Sequence, residues 1–258
     1  MKTKNVVAGL GEIGIPIFKL ISKNNICVGY DKNPQVMNSS LFEKYSLLPT
    51  KFLHVCIPFT KNFINNVLYL EKLFKPGCIV IHSTIKPYTT QKIQSKTTTP
   101  IIYSATRGVH KRMLHDLKRY TKFFAIEKNI KNKKLITNSF SRLMKKSGIK
   151  TKEMSEPLTL ELAKIVCDTS YYGWLINYAQ MSKMLTIQHD VDYDEMWTFS
   201  EEIHKFLGNR PKMFPGIIGG HCVLPNLDLI ENQTLDMIKK INKKFNTKLS
   251  SKTKNRKK

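Results

Sequence analysis

The sequence has no apolar run long enough to span a bilayer, so no membrane-spanning helix is expected. Its start, Met1-Lys2-Thr3-Lys4-Asn5-Val6, runs directly into a strand pattern and leaves no room for a signal peptide. CxxC spacing is missing. Five cysteines, at 27, 56, 78, 167 and 222, are scattered and odd in number. That pattern points away from a zinc site, or any metal site, and from a disulfide framework, and toward free thiols in the cytoplasm. Acidic residues are few, 19 against 43 Lys and Arg, for a formal charge of +24. Such an excess can signal nucleic acid or an acidic membrane as partner. Here it is mostly lysine spread along the chain, and arginine, the better reader of phosphates and bases, is scarce. Neither nucleic acid nor a membrane is therefore expected as a partner. The exception is the last twenty residues, ten of which are Lys or Arg; from 246 to 258 they read as a disordered basic tail.

Hydrophobic residues make up 41% of 258, enough for one large domain or two modest ones with a real core. The first apolar run, Asn5-Val6-Val7-Ala8, ends in Gly9-Leu10-Gly11-Glu12-Ile13-Gly14, and a helical pattern follows from Ile15 to Ile21. A second strand, Ile26 to Tyr30, is capped by Asp31. Strand, G-x-G-x-x-G, helix and an acid about twenty residues on form the dinucleotide-binding fingerprint in its required context. The glycines permit a tight turn and close approach of a pyrophosphate to the N–H groups of the helix N-terminus. Gly9, Gly11, Glu12, Ile13 and Gly14 are thus candidate cofactor residues. Asp31 would accept from the adenosine ribose hydroxyls and disfavour a 2′-phosphate, so NAD is expected rather than NADP. The plainer alternative is a glycine turn that packs helix on strand and binds nothing.

Strands at 51–57, 78–82, 100–104 and 122–126 alternate with helices at 62–74 and 131–146, which implies a parallel sheet covered on both faces. Ligands bind such sheets beyond the carboxyl ends of the strands, where Pro58, Ser83 and Thr84 fall. From Pro157 to about His189 the pattern becomes one long helix, apolar on more than one face, which must be buried in a core or against a second subunit. Glu161, Lys164 and Asp168 share one of its faces. They form either an exposed ion-pair ladder or, for Lys164 and Asp168, a pair directed at a cleft. A helix at 193–207 and a final one at 226–245 follow. The fold class is α/β: a Rossmann-type doubly wound parallel sheet over 1–153, then a helical domain with a long central helix over 154–245. Between the last two helices, Gly219-Gly220-His221-Cys222 places a cysteine on a glycine loop, as either a nucleophile or a small buried hydrophobe.

These pieces resemble the UDP-glucose/GDP-mannose dehydrogenase family. Gly9 to Gly14 with Asp31 match first. Cys56-Ile57-Pro58 and His82-Ser83-Thr84-Ile85-Lys86-Pro87-Tyr88-Thr89-Thr90 are similar to that family's "CVPTP" and "STVPPGTT" signatures. Glu161-Leu162-Ala163-Lys164 matches its E-x-x-K, and Gly219-Gly220-His221-Cys222 its nucleophile loop. A wider superfamily of 3-hydroxyacid and 6-phosphogluconate dehydrogenases shares the first and third pieces but not the cysteine. The resemblance implies oxidation of a sugar alcohol to a carboxylate in two hydride transfers to NAD, with the aldehyde trapped on Cys222 as a thiohemiacetal, oxidised to a thioester and hydrolysed. It implies a thiolate at Cys222, aided by Lys164 or His221, and an oxyanion stabilised by Lys164.

Departures from the pattern qualify what is implied. The family's asparagine after the lysine is Asp168 here, and its aspartate after the cysteine is Asn226. A carboxylate and a carboxamide have traded places, which hands Asp168 the task of ordering or deprotonating water. Ser104-Ala105-Thr106-Arg107 stands where the family often reads "SPER", so the glutamate that assists thioester hydrolysis is missing. The family also carries a further α/β domain over the nucleotide half of its substrate, which this sequence does not contain. The expected function is NAD-dependent oxidation of an alcohol on a sugar or nucleotide-sugar-like substrate, in a homodimer formed through the helix at 157–189. The alternatives are a two-electron hydroxyacid dehydrogenase-like enzyme and a non-catalytic NAD-binding protein.

Overall fold

A computed structural model describes residues 2–207, 215–219, 223–229, 231 and 233–255. The chain forms two compact units, Met1–Lys164 and Ile165–Lys258. In the first unit the elements run β1 Lys4–Ala8, α1 Gly14–Ile21, β2 Cys27–Tyr30, α2 Ser39–Lys44, β3 Thr50–Val55, α3 Phe63–Phe74, β4 Cys78–Ile81, α4 Thr89–Gln94, β5 Ile101–Tyr103, α5 Met113–Arg119, β6 Lys122–Ile126, α6 Lys133–Lys146, β7 Thr151–Glu153 and α7 Pro157–Ala163.

Period-two alternation in the strands divides the core between the two faces of one sheet. Val6, Ala8, Leu53, Val55, Ile79 and Ile81 face α3, α4 and α7, where Phe63, Val67, Leu70, Ile93 and Leu160 cover them. Val7, Phe52, Cys78, Val80, Phe124 and Ile126 face the other way, under Ile17 and Leu20 of α1, Met113 and Leu117 of α5, and Phe140 and Met144 of α6. Phe140 packs edge-on against Phe52 and Phe124; truncating such a buried ring costs about 3–5 kcal/mol. Local chemistry sets the helix ends. α7 opens on Pro157, whose missing N–H is harmless in a first turn. α3 ends where Lys75 turns left-handed (φ 42°) ahead of Pro76-Gly77.

The seven strands lie in the order β2-β1-β3-β4-β5-β6-β7. All neighbours are parallel except β5 and β6. The parallel sheet expected from the sequence is present, with that pair as its one antiparallel junction among the described residues. α5 spans only Met113–Arg119, and the chain re-enters the sheet from the edge at which β5 left it. The short β7 was not expected. Strand order reverses between β1 and β3, because the chain passes from β1 to β2 on one side and returns to β3 on the other. That reversal is the switch point at which open α/β sheets bind ligands.

The boundary expected at 153 falls after Lys164. α7 belongs to the first unit because Leu160 joins the sheet's core and Glu161 is tied to the start of α4. The second unit begins in a π-helical segment, Lys164–Ser170, that leads into α8, Tyr171–His189. Then come α9 Tyr193–Leu207, α10 Leu224–Leu227 and α11 Gln233–Asn255. Ile176, Ile218, Val223, Leu227, Leu235 and Ile238 form its core. Gly173 lets α8 approach α11 closely: a Cβ there would stand 3.3 Å from both Ile238 and Val223 side-chain carbons. α8 is not buried all round, since Tyr171, Tyr172, Tyr178, Met181 and Leu185 are exposed, as are Phe199 and Phe206 on α9. α11 continues to Asn255 where a disordered tail was expected from 246; no Gly or Pro follows Pro225 to stop it. Among the described residues no helix is long and apolar enough to cross a membrane, and no cluster of three His, Cys, Asp or Glu could hold a metal ion.

Candidate functional site

The turn between β1 and α1 sits at the switch point, and its glycines are required there. Gly9 has φ +94°, and a Cβ on it would lie 2.7 Å from the Cys56 carbonyl oxygen at the end of β3. A Cβ on Gly14 would lie 1.7 Å from the Gly9 carbonyl oxygen. Only glycine lets the helix begin so close beneath the strand. Gly11 is different: a Cβ there would meet nothing within 4 Å, so the turn faces open space at its middle glycine. Asp31, just past β2, accepts the Leu10 N–H at 2.7 Å on one carboxylate oxygen and the Asn33 N–H at 2.9 Å on the other. A carboxylate offers about four acceptor sites, so both oxygens retain capacity for hydroxyl donors. These bonds also fix the carboxylate against the glycine turn. Glu12 is exposed, with its side chain 2.6 Å from His110 Nδ1; what it and Ile13 offer the turn is backbone. The cradle, the open face at Gly11 and the anchored acid fit a dinucleotide.

Pro58, Ser83 and Thr84 stand at the carboxyl ends of β3 and β4, as expected. Ser83 Oγ donates to the Ile57 carbonyl at 2.5 Å and so ties the two strand ends together. Beneath them lies a cluster that sequence reasoning missed. His54 Nδ1 and His82 Nε2 are 2.9 Å apart with stacked rings, both buried, so one ring donates and the other accepts. Burial, then the nearby Lys122 charge, pushes the His54 pKa down to about 3 and holds His82 well below its usual value. Lys122 opens β6 and is buried. Its Nζ donates to the Ser104 carbonyl at 2.9 Å, the Ala105 carbonyl at 3.4 Å and Thr106 Oγ1 at 3.0 Å. Burial lowers its pKa to about 7; Cys56 opposes that change, and Lys164 and Arg107 add to it. Burial raises the Cys56 thiol to about 12. The available signal was a polar residue set inside an apolar strand, His54 between Leu53 and Val55 and Lys122 ahead of Phe123-Phe124. The segment Ser104–Arg107 is laced to β6 again by Ser104 Oγ to the Phe123 carbonyl and by Arg107 to the Thr121 carbonyl.

Glu161 does not sit on an exposed stripe. It is fully buried and accepts the Tyr88 N–H (2.7 Å), the Thr90 N–H (2.9 Å) and the Thr90 hydroxyl (2.6 Å) at the start of α4. An exposed ion-pair ladder is therefore excluded for this residue. Burial raises its pKa, and the three donors oppose the rise. Lys164 and Asp168 are half-buried, and both lie in the π-helical segment. Such insertions occur often at functional sites. Asn226 is half-buried in the short α10, where Pro225 takes a first-turn position. Cys222, with Gly220 and His221, lies outside the described residues. The limbs on either side are described: Ile218 and Val223 are both core residues.

No protein-family model matches the sequence, and no curated protein matches it. Solved structures do match in fold. The UDP-D-ManNAc dehydrogenase of Pyrococcus horikoshii is 17% identical with a TM-score of 0.78, over 96% of this chain and 70% of that one. The UDP-N-acetyl-mannosamine dehydrogenase of Staphylococcus aureus is 17% identical with a TM-score of 0.73, over 98% and 70%. The 3-hydroxyisobutyrate dehydrogenase of Mycobacterium tuberculosis is 13% identical with a TM-score of 0.68, over 95% and 94%. At this level of identity, what the chain shares with these enzymes is their fold: a Rossmann-type sheet followed by helices.

Proposed function

We propose that the chain is an NAD-dependent oxidoreductase acting on an alcohol group of a sugar or nucleotide-sugar-like substrate, with Cys222 as covalent nucleophile. The observation that carries this reading is the Gly9–Gly14 cradle with Asp31 anchored beside it at the switch point. The turn's N–H groups would hold the pyrophosphate, Asp31 the ribose hydroxyls, and the ends of β3 and β4 at Pro58, Ser83 and Thr84 would border the nicotinamide half. Bound NAD supplies the hydride acceptor. Lys164 stabilises oxyanion charge, Cys222 attacks the aldehyde carbon, and Asp168 orders or deprotonates water, with Asn226 as its neutral counterpart. Turnover by Asp168→Asn and by Asp168→Asn/Asn226→Asp tests the exchange of roles: the double change should restore part of what the single change loses, and no recovery refutes it.

A homodimer through residues 157–189 accounts for the exposed tyrosines, Met181 and Leu185 of α8; sedimentation of the full chain reads it directly. The free thiols Cys27, Cys56, Cys78 and Cys167 suit a reducing, cytoplasmic setting. The experiment for the whole reading is NADH production across nucleotide sugars and hydroxy acids, with mass spectrometry of the enzyme. Sugar-dependent NADH and a Cys222 adduct support it; NADH from hydroxy acids with no adduct supports two-electron chemistry centred on Lys164. That second reading draws on the fold shared with 3-hydroxyisobutyrate dehydrogenase. NAD binding with no turnover on any substrate would instead mark a non-catalytic NAD-binding protein.

A further inference from the structure

Two buried carboxamides in the second unit hold the limb that leads into the cysteine loop. Asn242 of α11 takes both backbone groups of Ile218: the Ile218 N–H donates to Asn242 Oδ1 at 2.9 Å, and Asn242 Nδ2 donates to the Ile218 carbonyl at 3.0 Å. Gln180 of α8 donates from Nε2 to the Gly216 carbonyl at 2.6 Å and to Asn242 Oδ1 at 3.0 Å. Asn177 Nδ2 donates to Gln180 Oε1 at 2.8 Å and fixes which way that amide points. Gln180 and Asn177 are almost wholly buried, and Asn242 is 8% exposed. Burying carboxamides between helices is unfavourable unless their hydrogen bonds are made, and an apolar pair would join α8 to α11 without that demand. What these carboxamides add is a fixed address for the Gly216–Ile218 backbone. Past the loop, Val223 packs in the same core as Ile218 and Ile238, so both limbs are held by that unit's own helices. α8 also continues directly from the π-helical segment that carries Asp168.

We propose that Gln180 and Asn242 are positioning residues for the Cys222 loop: their paired carboxamides set where the Gly216–Ile218 limb lies, and with it the reactivity of the thiol further along. This rests on the reading of Cys222 as nucleophile. Each carboxamide acts through the loop backbone, much as a short strand would.

The test uses the full chain and two isosteric variants. Gln180→Glu removes the donor to Gly216 and sets carboxylate oxygens against the Gly216 carbonyl and Asn242 Oδ1. Asn242→Asp removes the donor to the Ile218 carbonyl, sets a carboxylate oxygen against that carbonyl and keeps the acceptor for the Ile218 N–H. Hydrogen exchange at the Ile218 amide reads the clamp, and the thermal transition reads the fold. The pH profile of Cys222 alkylation by iodoacetamide reads the thiol without needing turnover, and kcat against KM for NAD reads the reaction. Both variants should speed Ile218 exchange, shift the alkylation profile and lower kcat by about 10²-fold, the scale of a 1 Å misplacement, with KM for NAD unchanged. Faster exchange with an unaltered alkylation profile and unaltered kcat overturns the positioning role, and so does unaltered exchange. Should Asn242→Asp fail to fold, Gln180→Glu, which loosens the Asn242–Ile218 pair through the oxygen it sets against Asn242 Oδ1, decides the matter. Full turnover by Cys222→Ser would instead overturn the nucleophile reading, with the exchange result still reporting the clamp, so the two failures have different signatures.

Discussion

Replacing Lys122 with methionine should remove the gain of stability with rising pH that this one residue contributes above neutrality. Lys122 Nζ is enclosed and, among the described residues, donates to neutral oxygens of Ser104, Ala105 and Thr106. Burial takes its pKa from 10.5 to about 7. Between those values the unfolded chain carries one more proton at this residue than the folded chain, so stability increases as pH rises. Each tenfold change in proton affinity is worth about 1.4 kcal/mol; from about pH 7 to about pH 9.5 the residue should contribute a gain of roughly 3 kcal/mol. Methionine fills similar volume and does not titrate, but it leaves three oxygens without their donor, at a cost of about 1–3 kcal/mol. Lys122→Met should thus be clearly less stable than wild type in alkaline solution and should match or exceed it below neutrality. His54 is displaced in the same sense, but its window lies between 6.5 and about 3, below the range in question. Urea unfolding followed by circular dichroism at several pH values measures the difference. Parallel stability profiles for the two proteins across the window would refute the reasoning.

Glu161→Gln should lower stability by about 1–3 kcal/mol at neutral pH, because an amide cannot accept all the donors from Tyr88 and Thr90. Since the folded carboxyl titrates above its ordinary 4.5, wild-type stability should also fall as pH rises through that window, and the glutamine variant should lack the fall; thermal melts over acidic pH check both. Gly9→Ala places a side chain at φ +94° against the Cys56 carbonyl and should cost about 1–3 kcal/mol in urea unfolding. It should also weaken NAD binding.

The features legible in the sequence were those that local backbone geometry demands. Gly9, Gly14 and Asp31 could be read because a tight turn at a strand end leaves no other choice of residue. The nearly unbroken apolar run Phe52-Leu53-His54-Val55-Cys56-Ile57 likewise announced a strand covered on both faces. Strand direction was not legible at β6, because direction resides in the connection and not in the strand's own residues. Thr151-Lys152-Glu153 shows no apolar alternation, so β7 was invisible. The π-helical turn at Lys164–Ser170 has no breaker to mark it. Glu161 looked like one rung of a surface ladder because its partners, Tyr88 and Thr90, lie far back in the chain. The same distance hid the meeting of Lys122, His54 and His82, and that of Gln180 and Asn242 with Ile218. Charge at the end of the chain suggested disorder, but lysine, asparagine, serine and threonine without glycine or proline allow α11 to run to Asn255.

The most direct test of the central claim is calorimetric titration of the full chain with NAD and, separately, NADP. A pyrophosphate on the Gly9–Gly14 turn and ribose hydroxyls on Asp31 predict saturable binding of one NAD per chain, with NADP at least about tenfold weaker, the 1.4 kcal/mol that a 2′-phosphate facing a carboxylate readily exceeds. No saturable heat with NAD, or equal affinity for the two nucleotides, would contradict it.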